Sequence, residues 1–120
     1  MKFDIKDVKL AQAGKLKIEL AGQQMPVLQL IKARFAKEKP LKGVNLSACL
    51  HVTAETANLM LALQAGGANL ALCASNPLST QDEVAASFVK DYQIPTFSIK
   101  VENNQIYYRH LNAALDYKPQ

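Results

Sequence analysis

VNLSACLHVTAET at Val44–Thr56 and NLALCASNPLSTQD at Asn69–Asp82 share one layout: an apolar run of strand length, a short polar string, then the opening of a helical pattern. Val44–Leu50, bounded by turn residues at its start, reads as a first strand, and Thr53–Gln64 as the helix after it. Gly66-Gly67 suits a helix C-terminus. Asn69–Ala74 then reads as a second strand, Thr80–Tyr92 as a helix, Thr96–Lys100 as a third strand and Asn103–Tyr117 as the last helix. Strands alternating with helices of this length predict right-handed βαβ crossovers and a parallel sheet. In that arrangement CLHVTAET and SNPLSTQD lie side by side at the carboxyl edge, where open α/β sheets bind ligands. A small-molecule site is the first functional hypothesis.

The forty residues upstream read differently. Leu10, Leu16, Ile18 and Leu20, then Met25, Leu28, Ile31 and Phe35, recur at spacings nearer helix than strand, with a break at Gly22–Pro26. Pro26 is tolerated there because the first turn of a helix has no partner for the missing amide hydrogen, and the second helix should stop before Pro40. The expected fold is therefore α/β, with residues 1–40 as an N-terminal helical segment and residues 41–120 as a three-stranded parallel βαβαβα unit, half of a Rossmann-like domain. The usual strand order leaves the first strand at an edge, and the last helix leads toward its open side. DYKPQ then reads as a connection toward a further strand, which predicts that the chain is a piece of a larger α/β domain, with CLHVTAET at the switch point.

Composition narrows the function classes. Hydrophobic residues at 49% and charged residues at 20% are ordinary for a globular domain and argue against disorder. The net charge of +4 comes from lysines scattered among acidic residues, which describes a solvated surface rather than a nucleic-acid groove. MKFDIKD lacks the apolar stretch of a signal peptide and no run has the length of a membrane span, so a cytoplasmic protein with no membrane partner is expected. Cys49 and Cys73 fall in strand runs rather than in a CxxC pair, and read as buried, reduced thiols.

Each polar string has a structural reading and a functional one. Thr53 suits a helix N-cap, and Ser79 or Thr80 suits the cap of the next helix, with Asp82 or Glu83 closing a capping box. Asn76 before Pro77 can form a side-chain turn. Capping does not require His51, which stands between a strand end and a helix start, either as a structural histidine or as a group that moves protons near neutral pH. Glu55, in the first helical turn, is favoured by the helix dipole and is also placed to accept hydrogen bonds from a ligand amino group. His51 and His110 lack partners at metal-ligand spacing, and His110 belongs to the face of the last helix. No GxGxxG or GxxxxGK occurs. The residues by themselves describe a small polar ligand held at two helix N-termini.

Several strings together carry a resemblance. Asp4–Asp7 (DIKD), Met25–Pro26, KPLKG at Lys39–Gly43, CLHVTAET, NPLSTQDEVAA at Asn76–Ala86 and the closing LDYKP are similar, in this order, to the N-terminal part of the S-adenosylhomocysteine hydrolases, the adenosylhomocysteinases. The resemblance covers nearly the whole chain. It implies an enzyme of one-carbon metabolism that reversibly splits S-adenosylhomocysteine into adenosine and homocysteine with bound NAD, which oxidises the ribose 3′-hydroxyl. It also implies roles: His51 in acid/base chemistry near the 4′ and 5′ carbons, Thr53 and Glu55 at the adenine edge, and Ser79, Thr80 and Gln81 in a second loop closing the same pocket.

The chain departs from the family in what it lacks. The later ribose-binding residues and the glycine-rich NAD fingerprint do not occur in these residues, so no cofactor is expected to bind this chain alone and no hydrolysis is expected from it. Gly22 stands where the family often has a glutamate, and is expected to weaken the first helix by up to about 1 kcal/mol relative to alanine. A stand-alone adenosine-binding or assembly module without catalysis is the alternative reading. The expected partner is the adenosine moiety of a small-molecule substrate. A homo-oligomer is the expected assembly, and an unpaired first strand favours self-association.

Overall fold

In the computed structural model, which describes all 120 residues, the two apolar runs become strands β2 (Asn45–Leu50) and β3 (Asn69–Ala74), paired parallel and in register along their full length. β4 (Thr96–Ser98) pairs parallel on the far side of β3. Between them lie helices α3 (Ala54–Ala65) and α4 (Asp82–Lys90), and α5 (Asn104–Leu115) follows β4. β2 lies at one edge of the sheet. Gln120 comes to that edge, its amide donating to the Asn45 carbonyl at 2.9 Å and its side-chain oxygen accepting from the Asn45 amide at 3.0 Å.

The sheet has four strands rather than the three expected. Asp4–Ile5 forms β1, paired parallel with β4, so the order is β1-β4-β3-β2. A single 3-10 turn at Val8–Leu10 leads from β1 into α1 (Ala11–Gln23), and α2 (Pro26–Glu38) follows with Pro26 in its first turn. The N-terminal segment thus contributes a strand as well as its two helices.

The other boundaries differ from the sequence reading by at most two residues, and at two of them the local reason is plain. α4 begins at Asp82 instead of Thr80 because Thr80 is still extended, bridged in parallel to Val52. β4 stops at Ser98 because the next two amides are taken by carboxylates: Ile99 N–H donates to Glu102 at 3.3 Å and Lys100 N–H to Asp82 at 3.0 Å.

β3 is buried on both faces beyond its first residue, as expected of a central parallel strand. On one face Leu70, Leu72 and Ala74 pack with Ile18 of α1, Met60 and Leu61 of α3, and Val84 and Phe88 of α4. The other face is thinner: Cys73 and Phe97 meet Ala114 of α5. Cys73 is buried but Cys49 is exposed, contrary to the expectation for both thiols, because β2 is an edge strand whose α5-facing side is incompletely covered.

α1 reaches the core through its glycines. An ideal Cβ on Gly14 would lie 1.7 Å from the Glu83 carbonyl oxygen, so α1 rides directly on the backbone of the first turn of α4. Gly22 is buried too, and a Cβ there would stand 2.7 Å from Asn58 Oδ1. Its cost in helix propensity is thus offset by close approach to α3, where the buried Asn58 amide donates to the Ile18 carbonyl at 3.0 Å and to the Ala54 carbonyl at 2.9 Å, while its oxygen accepts from Gln29 at 3.3 Å. One side chain ties three helices. No helix is long and apolar enough to cross a membrane.

Candidate functional site

The two polar strings run alongside each other past the carboxyl ends of β2 and β3. Val52 N–H donates to the Ser79 carbonyl at 2.8 Å, and Gln81 N–H donates back to the Val52 carbonyl at 2.9 Å, an isolated parallel bridge beyond the last strand pairs. His51 and Ser79 therefore stand at the same end of the sheet. The bridge also sets the entry of both helices, so the N-termini of α3 and α4 emerge together with their positive dipole ends at one edge.

Thr53 caps α3 as its type predicts: its extended backbone (φ −126°, ψ 170°) lets Oγ1 accept from the Thr56 amide at 3.3 Å. Ser79 and Thr80 do not cap α4. The Ser79 hydroxyl donates back to the Asn76 carbonyl at 3.1 Å, and the buried Thr80 hydroxyl bonds the buried Ser98 hydroxyl of β4. The N-cap position of α4 falls to Gln81, whose side chain makes no capping bond. Asn76 forms its side-chain turn, Oδ1 accepting from the Leu78 amide at 2.9 Å.

Glu55 and Gln81 share a hollow of about 480 Å³, walled on its far side by Lys17, Leu20, Ala21, Gln23 and Gln24 from α1 and its end. The Gln81 side-chain oxygen is itself buried and has no hydrogen-bond partner. Glu55 is exposed on the first turn of α3 and brings a carboxylate to the same hollow. His51 is exposed at the same sheet end but does not line the hollow, and neither do Thr53, Ser79 or Thr80.

Sequence reading missed the α1 wall. Lys17 holds it in place by an ion pair with Glu83 on the first turn of α4, and this hydrogen-bonded ammonium keeps the Glu83 carboxyl below its ordinary value of 4.5. Nothing in GKLKIEL distinguishes a pocket wall from any amphipathic helix; Gly14 was the one available signal of close packing.

His110 is also more than a helix-face residue. Buried at 1% exposure, it sets Nε2 at 2.7 Å from Asp4 of β1 and Nδ1 at 2.7 Å from Glu102. Burial raises the Glu102 carboxyl above its usual range, a shift that the neighbouring imidazole opposes. This trio fastens the first strand to the last helix, at a distance from the hollow.

Fold and site together describe a parallel α/β unit with a carboxylate and an amide side chain lining a hollow at the carboxyl edge of its sheet. The family model of S-adenosyl-L-homocysteine hydrolase matches residues 2–120. Adenosylhomocysteinases of Gloeothece citriformis and Aquifex aeolicus are 60% and 57% identical over 119 residues, covering 99% of this chain and 28% of each relative. The S-inosyl-L-homocysteine hydrolase of Methanothermobacter thermautotrophicus is 42% identical over 120 residues, again 28% of that protein. The chain belongs to the S-adenosyl-L-homocysteine hydrolase family and corresponds to the N-terminal part of its full-length members. It spans a little over a quarter of the length of the relatives it matches.

Proposed function

We propose that these residues form the purine-recognition edge of an adenosylhomocysteinase, with Glu55 and Gln81 as its principal polar groups. The observation that carries this is the shared hollow, where the exposed Glu55 carboxylate, whose oxygens are acceptors, stands with the Gln81 side chain at the start of α4. Adenine carries an exocyclic amino group, a donor suited to such acceptors. Thr53, spent on its cap, sets the direction of the first turn of α3 and thereby places Glu55. Thr80, spent on Ser98, fixes the loop that carries Ser79 and Gln81. His51 stands outside the hollow at the same rim, the position for a proton-moving group acting on the sugar rather than on the base.

The reaction of the whole enzyme would be reversible cleavage of S-adenosylhomocysteine, with NAD supplying oxidation of the ribose 3′-hydroxyl. The residues described here do not fit that cofactor. The amides of Val52 and Gln81, which a dinucleotide phosphate would need at these turns, are already paired to carbonyls, and neither turn contains a glycine. The chain alone is accordingly proposed to bind adenosine weakly and to hydrolyse nothing.

Titration calorimetry with adenosine and inosine tests the reading. A hydrogen bond to a charged group contributes about 1.5–3 kcal/mol, so adenosine should bind some 10-fold or more tightly than inosine, and Glu55→Ala should remove most of the difference. Tighter binding of inosine would transfer the assignment to the chemistry for which the Methanothermobacter relative is named. Equal affinities, unaffected by Glu55→Ala, would refute the role of Glu55.

A further inference from the structure

Cys49 and Cys73 take no part in the ligand hollow, yet they are direct register partners across β2 and β3. Residues paired in this way point to the same face, here the thinly covered α5 side. Neighbouring strands stand about 4.8 Å apart, inside the Cα spacing of about 4.4–6.8 Å that a disulfide spans. The two thiols also feel each other. Burial pushes the Cys73 thiol up to about 12, and both the charge of Cys49 and a hydrogen bond to it act in the same direction.

Access to the pair is one-sided. Cys73 is 2% exposed, sealed in with Phe97 and Ala114. Cys49 is exposed and leans toward β3, its Sγ 3.5 Å from the Ala74 carbonyl oxygen. An oxidant from solvent therefore meets Cys49 first, and the only thiol beside the product is that of Cys73.

We propose that Cys49 and Cys73 form an oxidation site in which a hydroperoxide attacks through Cys49 and the modification ends as a Cys49–Cys73 disulfide. In the first step the Cys49 thiolate sulfur takes the terminal oxygen of hydrogen peroxide, the O–O bond breaks, and Cys49 sulfenic acid and hydroxide form. In the second the Cys73 sulfur attacks that sulfenic sulfur, forming the S–S bond. The S–O bond breaks, and the departing hydroxide takes the thiol proton away as water. Two thiols are oxidised by two electrons, and one peroxide becomes two waters.

The bridge would sit just ahead of both polar strings, two residues before His51 on one strand and two before Ser75 on the other. It would join the strands at the rim that holds the hollow. Because one side of it is open, a small thiol can reverse it.

The test is to treat the folded chain with hydrogen peroxide, block remaining thiols, and map peptides without reduction by mass spectrometry. A peptide linking Cys49 to Cys73 within one chain, lost on dithiothreitol treatment, is the expected product. In Cys49→Ser, which alters an exposed position, Cys73 should stay a free thiol. Two results would overturn the proposal: Cys49 ending as sulfinic acid or as a chain-to-chain disulfide with Cys73 still free, or Cys73 oxidising in Cys49→Ser as fast as in the unaltered chain.

Discussion

Replacing Gly14 by alanine tests how closely α1 is seated on the pocket. A Cβ at this position would lie 1.7 Å from the Glu83 carbonyl oxygen, 2.4 Å from its carbon and 3.0 Å from the Val84 nitrogen. All three are backbone atoms at the start of α4, so no side-chain rotation relieves the contact. Restoring ordinary packing requires the two helices to part by roughly 1.5–2 Å, at a cost at or above the top of the about 1–3 kcal/mol typical of overpacked cores. Against this, alanine gains about 1 kcal/mol of helix propensity over glycine. The steric term wins, leaving a loss of about 2 kcal/mol. An unfolding entropy of about 2.1 cal/mol/K per residue gives about 0.25 kcal/mol/K for this chain, so the midpoint of thermal unfolding by circular dichroism should fall by about 8 °C. Lys15→Ala, exposed on the same helix, is the control and should leave the midpoint almost unchanged. A Gly14→Ala midpoint equal to or above that of the parent would show that α1 does not ride on α4 as described.

Thr53→Ala removes the side-chain acceptor for the Thr56 amide and should cost about 1 kcal/mol, about 4 °C in the same melting experiment; Thr53→Asn, which can also cap, should recover most of it. The Glu83 carboxyl is held below its ordinary 4.5 first by its hydrogen bond to Lys17. A depressed acid stabilises the fold above its unfolded value and loses that contribution as pH falls through the lower folded value. Lys17→Met should therefore lower the urea midpoint above about pH 4.5 and change it little in acid, where the contribution is already lost, so that the acid limb flattens; an unaltered profile would show that the pair contributes nothing to stability.

The parts of the fold legible in the sequence are those decided locally. Asn69–Ala74 has the length and apolarity of a buried strand and is one, and Thr53 has the side chain and the position of a cap and serves as one. β1 could not be read because two residues have no period; Asp4 and Ile5 become a strand only by pairing with Phe97 and Ser98. Thr80 was misplaced for the same reason: its helix-capping type was overridden by a bridge to Val52 and a bond to Ser98, both formed with distant segments. At the candidate site, the side-by-side placement of the two strings follows from βαβ topology alone. Which side chains face the hollow does not, since the wall comes from α1 and depends on how tightly Gly14 lets it approach.

β1 also has a consequence for how the chain is made. Its only strand partner is β4, almost the whole chain later, and the Asp4–His110 contact is later still. The strand pairing of Asp4 and Ile5 therefore forms only after β4 has been made, although Lys6 and the 3-10 turn can already meet α4. A bulky group placed directly ahead of Asp4 would leave β2, β3 and their helices free to assemble and would obstruct only the closure of β1 on β4.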